Sequence, residues 1–223
     1  MLPQPARSRL FLAAEWRDLA MLNYPIDPAV LLPRVPAGCE LDEWNGQAFV
    51  SLVGFRFLNT RVLGLPVPFH RHFDEVNLRF YVRRRAEGEW RRGVVFVKEL
   101  VPRRAIAWVA RTLYGENYVA LPMRHSKVTE DQGQTALSYA WRRGGDWESI
   151  AVRYGGTPEE AAEDSEERFI TEHYWGYARR SPTTTVEYEV EHPRWRVWRA
   201  AEAQFTGDTV TLYMPMVPEA AMA

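Results

Sequence analysis

The chain has 223 residues, of which 46% are hydrophobic and 26% charged, and its formal net charge is −1 at pH 7. This balance excludes a general electrostatic attraction to nucleic acid or anionic membranes. No segment approaches the roughly 20 apolar residues of a membrane span. A single cysteine, Cys39, excludes an internal disulfide framework and fits a reducing compartment. We therefore expect a cytoplasmic protein without nucleic-acid or membrane partners.

The N-terminal part of the chain alternates strand patterns with turn residues. Residues 16–24 predict an early strand, and Asp27 followed by Pro28 predicts the N-cap and first residue of a short helix. Asn45-Gly46 predicts a tight hairpin turn. Residues 52–57 are apolar on both faces, which is typical of a strand buried on both sides.

Residues 73–82, FDEVNLRFYV, predict a strand whose two faces differ in chemistry, because successive strand side chains point to opposite sides of a sheet. One face is apolar and carries Val76, Leu78, Phe80 and Val82. The other face is a polar row of Glu75, Asn77, Arg79 and Tyr81.

The polar row needs partners if it is enclosed, because a buried polar group without a hydrogen bond costs on the order of several kcal/mol. Arg79 is then suited to hold a carboxylate through two parallel hydrogen bonds. Glu75 is the candidate general acid or base, with a pKa that burial would raise. Asn77 and Tyr81 are expected to orient the ligand. Two alternatives stay open from these residues alone: the row braces the fold, or it faces solvent.

A charged hairpin tip and a helix are expected next. Residues 83–92, RRRAEGEWRR, predict a loop with Gly88 at its turn. Because no aromatic platform or second basic patch accompanies its five arginines, an exposed tip is expected rather than a nucleic-acid site. Residues 93–101 return as a strand. Pro102 then opens a helix with one apolar stripe, which Gly115 is placed to end.

The second half of the chain predicts more strands and one further helix. Gly144-Gly145 is expected to join two strands of a hairpin. Thr157 and Pro158, followed by acidic residues, predict the start of a helix. Residues 184–192, 194–205 and 209–216 are expected to finish the chain as strands. We predict a single domain over residues 1–223, mainly β with two or three helices, in a closed or strongly curved sheet.

Two other patterns carry chemistry. His70, His72 and Asp74 alternate like metal ligands, but an unbroken strand places them on the face opposite to the polar row. No zinc-type spacing of cysteine and histidine occurs, so neither a metal nor a cofactor is predicted. Lys98 is an alternative nucleophile for Schiff-base chemistry if it is buried with a lowered pKa.

Residues 168–177, RFITEHYWGY, form an aromatic-rich stretch that Glu172 and His173 interrupt. Arg168, Glu172 and Tyr174 are expected to reach the same interior space, and Glu172 is taken as a ligand-binding candidate there. The alternative is an ordinary junction between a helix and a strand.

Several long phrases resemble the YqjF-like bacterial proteins, a family of unknown function. The phrases are LNYPIDPAVLLPRVP, VSLVGFRF, RVLGLPVPFHRHFDEVNLRFYV, GVVFVKELVPRRAIAWVARTLYGENYVALPMRH and FITEHYWGY. That family looks like a branch of the acetoacetate-decarboxylase-like superfamily. The resemblance implies a cone-like closed β-barrel with flanking helices and an enclosed central pocket, which the polar row would face.

The resemblance does not extend to the residues of the decarboxylase reaction. In the decarboxylases, an Arg-Glu-x-Trp-Gly stretch precedes a Pro-Lys-Lys whose lysine forms the Schiff base. Here Arg111, Tyr114 and Gly115 stand in the places of the first stretch, and Tyr118 and Val119 stand where the paired lysines should be. Without the amine the reaction loses its electron sink. Acetoacetate decarboxylase activity is therefore not expected, and Arg111, Tyr114 and Tyr118 are expected to contribute ligand contacts instead.

The resulting hypothesis is a pocket protein that binds, and in one version transforms, a small organic acid without the Schiff-base lysine. The alternative is a non-catalytic ligand sensor or a structural protein whose polar row only braces the barrel. A homodimer through an apolar patch around Trp195 and Trp198 is one expectation, and a monomer is the other.

Overall fold

The computed structural model describes residues 12–66, 70–108 and 116–208, and β-strands make up most of this part of the chain. In chain order, the strands are β1 Leu12–Ile26, β2 Cys39–Leu41, β3 Ala48–Val62, β4 Leu65–Pro66, β5 Phe73–Ala86, β6 Glu89–Val101, β7 Tyr118–Ala120, β8 Met123–Thr129, β9 Thr135–Arg143, β10 Asp146–Tyr154, β11 Glu159–Glu160, β12 Trp175–Arg179, β13 Thr185–Glu189, β14 Arg196–Val197 and β15 Ala200–Thr206. The helical segments are α1 Pro28–Leu31, 3₁₀ turns at Leu32–Arg34 and Asp131–Gly133, a helical turn at 104–108, and α2 Glu166–Thr171. None of the described helices is long and apolar enough to span a membrane.

Two sheets organise these strands. The larger sheet has nine strands and follows the order β1-β3-β5-β6-β12-β13, with β2 beside β5, β4 beside β3 and β7 beside β6. Its pairs are antiparallel except that β7 and β12 run parallel to β6. The smaller sheet has the order β15-β10-β9-β8, and β11 pairs with β14 separately.

The main core lies between the two sheets. The larger sheet contributes buried side chains that include Leu22, Val50, Leu52, Val76, Leu78, Phe80 and Val82. The smaller sheet contributes Leu137, Tyr139, Trp141, Ile150 and Val152. The sheets approach closely at Gly54, where a Cβ would lie 2.6 Å from Cδ2 of Tyr139, so a larger residue would push them apart. The apolar face of β5 therefore lies in this core, as its sequence pattern predicts.

The prediction of a closed barrel is wrong, although the mainly β class is confirmed. Among the described strands, the larger sheet has separate edges at β1 and β13, which are not hydrogen-bonded to each other. The smaller sheet covers one face of it, and α2 packs Phe169 and Ile170 onto the other. Because both faces are covered by other layers, the sheet buries its side chains without closing on itself.

Several turns follow the sequence closely. Asp27 caps α1, and its Oδ1 accepts a hydrogen bond from the N–H of Ala29 at 2.9 Å. Asn45 and Gly46 have positive φ angles of 52° and 76° and form the predicted tight turn. The strands on either side of that turn do not pair with each other: β2 pairs with β5, and β3 pairs with β1. Gly144-Gly145 joins β9 to β10, as predicted.

Two predicted segments differ from the structure. The charged loop at 83–92 is a continuation of β5 and β6, which meet at a two-residue turn of Glu87 and Gly88. Its arginines remain ordered in strands because they pair with carboxylates and stack on Trp90, over which the guanidinium of Arg83 lies at 4.6 Å. The helix expected from Thr157 begins eight residues later, because Ser165 supplies the N-cap by accepting from the N–H of Arg168.

Two further predictions extend beyond the described chain. The helix predicted from Pro102 to Gly115 is described only as the turn at 104–108, and the final strand at 209–216 lies outside the described residues.

Candidate functional site

Both faces of β5 are buried, so the polar row does not face solvent. Glu75, Asn77, Arg79 and Tyr81 retain 2%, 3%, 6% and 1% of their exposure. The row lies on the face of the larger sheet opposite to the smaller sheet, where α2 and the segment after β13 cover it. Each of these polar groups therefore has to be satisfied inside the protein or by a ligand.

Glu75 is held by two neutral donors. Its Oε1 accepts from Nδ2 of Asn77 at 3.1 Å, and its Oε2 accepts from the hydroxyl of Tyr118 at 3.0 Å. Tyr118 reaches it because β7 lies parallel to β6, which pairs directly with β5. Burial raises the pKa of Glu75 to about 7, against the lowering effect of these two hydrogen bonds and of the Arg79 charge.

A β-bulge brings a second glutamate to the same face. Leu78 pairs with Lys98 and Arg79 with Phe96, so Val97 is an extra residue in β6. A bulge reverses the alternation of side chains beyond it. Glu99 therefore lies beside Asn77 on the polar face, with 2% exposure.

The same bulge turns Lys98 toward the smaller sheet. Burial, followed by the charge of Arg143, lowers the pKa of the Lys98 amine. Because Lys98 pairs with Leu78, it lies on the face opposite to Glu75 and Arg79. This position gives no support to Schiff-base chemistry by Lys98 in the space that the polar row faces.

Three buried glutamates thus form one glutamate cluster, which consists of Glu75, Glu99 and Glu116 with Tyr118 and Tyr188. The hydroxyl of Tyr188 donates to Oε1 of Glu116 at 2.8 Å. Burial raises the pKa of Glu116 to about 7. Burial and the charges of Glu116 and Glu75 hold the pKa of Glu99 well above its usual range. The cluster therefore favours protonated carboxyl groups near neutral pH.

Arg79 differs from the other buried charges because no carboxylate among the described residues lies within ion-pair distance of it. Its guanidinium carbon lies 5.8 Å from the centre of the Tyr81 ring, and its buried Nε has no hydrogen-bond partner there. A buried cation without a counter-charge is strongly unfavourable unless an anion joins it.

A second polar network, the Asp42 triad of Asp42, Arg92 and His173, lies beside Arg79. Nε of Arg92 donates to Oδ2 of Asp42 at 2.6 Å, and Nε2 of His173 lies 3.0 Å from the same oxygen. Burial alone would raise the pKa of Asp42, but the hydrogen bonds from His173 and Arg92 lower it below its usual range. Burial lowers the pKa of His173 to about 4, so its imidazole is neutral at physiological pH.

A small cavity of about 20 Å³ joins Arg79 to His173. Its apolar walls are Val94, Phe96, Ile170 and Trp175. An aromatic cap of Trp16, His192 and Trp195 closes the outer side, and the rings of His192 and Trp195 stack with their centres 4.4 Å apart. This volume holds about one water molecule, so the cavity is narrow.

The other predicted site residues have identifiable surroundings. The hydroxyl of Tyr81 lies 2.6 Å from Oγ of Ser51, and its ring packs against His173. Glu172 forms ion pairs with Arg168 at 3.4 Å and Arg194 at 3.5 Å, and it is not among the described residues that line the cavity.

Two predicted site residues fall outside the described part of the chain, and the histidine pattern noted in the sequence can be compared with the structure. Arg111 and Tyr114 lie outside the described residues. Within the described residues, no group of three or more histidine, cysteine or acidic side chains has a geometry that could hold a metal ion. Within the alternating pattern of His70, His72 and Asp74, the Asp74 carboxylate instead lies 2.9 Å from Nδ1 of His125, within hydrogen-bond distance.

Sequence reasoning did not select Glu99, Glu116, Tyr188, Asp42 or His173 as site residues. The position of Glu99 depends on the bulge at Val97, and that of Asp42 depends on a contact across 131 positions of the chain. His173 carried a detectable signal, a lone histidine in an aromatic stretch, but its neighbour Glu172 was selected.

Comparison with solved structures shows a decarboxylase-like fold. Acetoacetate decarboxylase from Legionella pneumophila matches with a TM-score of 0.51 and 16% identity over 79% of this chain, which spans only 63% of that enzyme. The enduracididine biosynthesis enzyme MppR, complexed with pyruvate, matches with a TM-score of 0.59 and 11% identity over 90% of this chain and 79% of that one. At such low identity, the likeness establishes the fold alone.

Sequence comparison identifies the family. The uncharacterized protein YqjF of Bacillus subtilis is 31% identical over 200 residues, which are 88% of this chain and 78% of that protein. The model of DUF2071, described as an uncharacterized conserved protein, matches residues 13–220. The chain therefore belongs to the DUF2071 family, as its resemblance to the YqjF-like proteins predicts.

Proposed function

We propose that this protein binds a small organic acid in the cavity beside Arg79, whose guanidinium pairs with the ligand carboxylate. One observation carries the proposal: Arg79 is buried and lines the cavity, yet no described carboxylate lies within ion-pair distance to supply a directly paired counter-charge. A bound carboxylate would supply that charge and would accept from Nε, which otherwise lacks a partner. MppR, which shares the fold, is complexed with pyruvate, and this supports the choice of a small organic acid.

Binding requires the aromatic cap to move outward, because a three-carbon acid is larger than the present cavity. His192 and Trp195 lie in the segment between β13 and β14, which has no regular secondary structure. Such a segment moves at lower cost than the strands beneath it. Trp16, Trp175 and Trp195 all line the cavity, so ligand entry should change the tryptophan fluorescence.

The test is thermal unfolding of the wild type and Arg79→Met with and without a panel of small carboxylic acids. A ligand at about 100 times its Kd adds roughly 2.7 kcal/mol, which is a Tm increase on the order of 5–10 °C for a chain of this length. Without ligand, Arg79→Met should be as stable as the wild type or more stable, because the substitution removes an unpaired buried charge. The acid-dependent increase should disappear in the variant.

Arg92→Met is the matched control. Arg92 is paired with Asp42 at 2.6 Å, so its loss should destabilise the ligand-free protein by about 2 kcal/mol. A loss of stability in Arg79→Met as large as that in Arg92→Met, with no acid response in the wild type, would assign a bracing role to Arg79 and contradict the proposal.

A second candidate function is proton transfer to or from the bound acid by Glu75. The pKa of Glu75, raised to about 7, is suitable for a general acid or base at neutral pH. Glu75 lies on the same face of β5 as Arg79 but is not among the described residues that line the cavity, so the bound acid would have to extend beyond the present cavity to reach it. The test is deuterium exchange at carbon-bound positions of the bound acid, followed by NMR. Exchange that is lost in Glu75→Gln would support catalysis, whereas tight binding without exchange would favour the non-catalytic sensor.

A further inference from the structure

We propose that the ligand carries a hydroxyl group beside its carboxylate, as in a 2-hydroxy acid, and that this hydroxyl donates to Nδ1 of His173. The inference rests on the proposed function, since Arg79 must first hold the carboxylate. His173 and Arg79 line the same cavity. A ligand held by Arg79 could therefore also contact His173, which would select for hydroxy acids.

The tautomer of His173 follows from its contacts. Nε2 lies 3.0 Å from Oδ2 of Asp42 and 3.4 Å from a terminal nitrogen of Arg92. If Nε2 carries the proton, it donates to the carboxylate over the shorter distance. If it does not, its lone pair faces the lone pairs of an ionised carboxylate, which is repulsive. The proton therefore resides on Nε2, and Nδ1 is an acceptor.

Nδ1 is an acceptor without a partner. It is buried, and no hydrogen-bond donor in the described chain reaches it. His173 is held from both sides, since its ring lies 4.6 Å from Tyr81 and 5.2 Å from Phe169, so rotation would break these contacts. Buried ring nitrogens of this kind are usually hydrogen-bonded. Because the His173 side chain lines the cavity, we assign the missing donor to a ligand bound there.

The charges around the cavity restrict the kind of donor. Burial and the charges of Arg92 and Arg79 lower the pKa of His173, and they outweigh the raising effect of Asp42. Burial and the two nearby cations would also disfavour an ammonium group in the same place, which favours a neutral donor over that of a 2-amino acid. A 2-oxo acid presents a carbonyl oxygen, which is an acceptor, to an acceptor nitrogen. A neutral hydroxyl is the donor that remains.

The experiment compares three acids of the same length: lactate, as its two separate enantiomers, pyruvate and propionate. Each is titrated into the wild-type protein, and binding is measured by tryptophan fluorescence and calorimetry. We expect one lactate enantiomer to bind about tenfold or more tightly than pyruvate and propionate, because only lactate satisfies Nδ1. Equal affinities for all three acids would overturn this inference and leave the proposed function standing. Absence of binding by every acid would overturn the proposed function itself.

His173→Phe removes the acceptor and keeps an aromatic ring against Tyr81 and Phe169. Lactate affinity should fall to that of propionate, and propionate affinity should not change. His125→Phe makes the same substitution at a half-buried histidine that pairs with Asp74 outside the cavity, and it should keep the lactate preference. A folded His173→Phe variant that still prefers lactate would contradict the assignment.

NMR of the wild type tests the tautomer without any variant. Long-range proton–nitrogen correlation should show an unprotonated Nδ1 and a protonated Nε2 in the free protein, with the Nδ1 resonance moving when lactate binds. A protonated Nδ1 in the free protein would overturn the inference.

Discussion

The glutamate cluster and the Asp42 triad lie on the same face of the larger sheet, but their buried ionisable groups are stabilised in opposite ways. In the glutamate cluster, charges of the same sign meet, and burial raises the pKa values of Glu75 and Glu116 to about 7. In the Asp42 triad, opposite charges pair, and hydrogen bonds keep Asp42 ionised despite its burial. Protonation of the carboxyl groups therefore stabilises the glutamate cluster, and pairing of opposite charges stabilises the Asp42 triad.

Arg79 connects the two regions. Its charge lowers the pKa of Glu75 on one side and of His173 on the other. A carboxylate bound to Arg79 would weaken both effects. The proposed ligand at Arg79 would therefore act on the titration of both regions, and each region can be changed separately by substitution.

Asp42→Ala should have the largest effect. The substitution removes the oxygen that Nε of Arg92 and Nε2 of His173 share, and leaves a partly buried cation and a buried imidazole unpaired. We expect a loss of about 3–5 kcal/mol in the free energy of unfolding, measured by urea denaturation at pH 7. Glu40→Ala breaks the exposed pair with Arg83 and should cost at most about 1 kcal/mol. A similar small loss in both variants would contradict the role of the triad.

Glu99→Gln should increase the free energy of unfolding, whereas Asp42→Ala decreases it. An acid with a raised pKa in the folded state binds more protons there than in the unfolded state, so stability falls as pH rises between the unfolded and folded pKa values. For Glu75 and Glu116, that range extends from the ordinary value of 4.5 to about 7, with a slope of up to about 1.4 kcal/mol per pH unit for each group. Glutamine imitates the protonated acid, so Glu99→Gln should stabilise the protein by about 1–3 kcal/mol at pH 8 and change little at pH 5.

Urea denaturation of Glu99→Gln and wild type at both pH values measures this effect. His173 acts in the opposite direction, because its lowered pKa makes stability fall as pH falls from 6.5 to about 4. Comparing variant and wild type at the same pH cancels that contribution. Glu172→Gln is the control, since Glu172 is ion-paired with Arg168 and Arg194 and should lose a few tenths of a kcal/mol. Destabilisation of Glu99→Gln at pH 8 would show that Glu99 is needed as an anion.

The sequence was sufficient for the polar row because strand alternation is a local property. Glu75 to Tyr81 and their apolar partners needed only the period of two, whereas these residues alone left exposure of the polar row to solvent open, and only the family resemblance implied that the row is enclosed. Asp27 and the Asn45-Gly46 turn were predictable for the same reason, since a cap or a turn is determined by a few adjacent residues.

The faces on which Lys98 and Glu99 lie, the start of α2 and the open sheet depend on structural features that strand alternation does not encode. The bulge at Val97 exchanges the faces of Lys98 and Glu99, so the sequence pattern alone would place the lysine near Glu75 and the acid away from it. The N-cap of α2 is Ser165 rather than Thr157, and the helix that follows Ser165 buries Phe169, Ile170 and Thr171. The open sheet was missed because the smaller sheet, which covers the larger one, has the same strand pattern that a barrel would have.

Tyr118→Phe should have the smallest effect on stability of the variants considered. It also tests whether Glu75 titrates separately from the other acids of the glutamate cluster. The hydroxyl of Tyr118 donates to Oε2 of Glu75 and favours its ionised form. Its removal should raise the pKa of Glu75 above about 7 and cost about 1 kcal/mol above that pH, as measured by NMR titration of the Glu75 carboxyl carbon. Tyr188→Phe removes the equivalent donor from Glu116 and should move the Glu116 titration more than that of Glu75. If both variants shifted Glu75 equally, the three acids would titrate as one unit, and the proton near Arg79 would belong to the cluster rather than to Glu75.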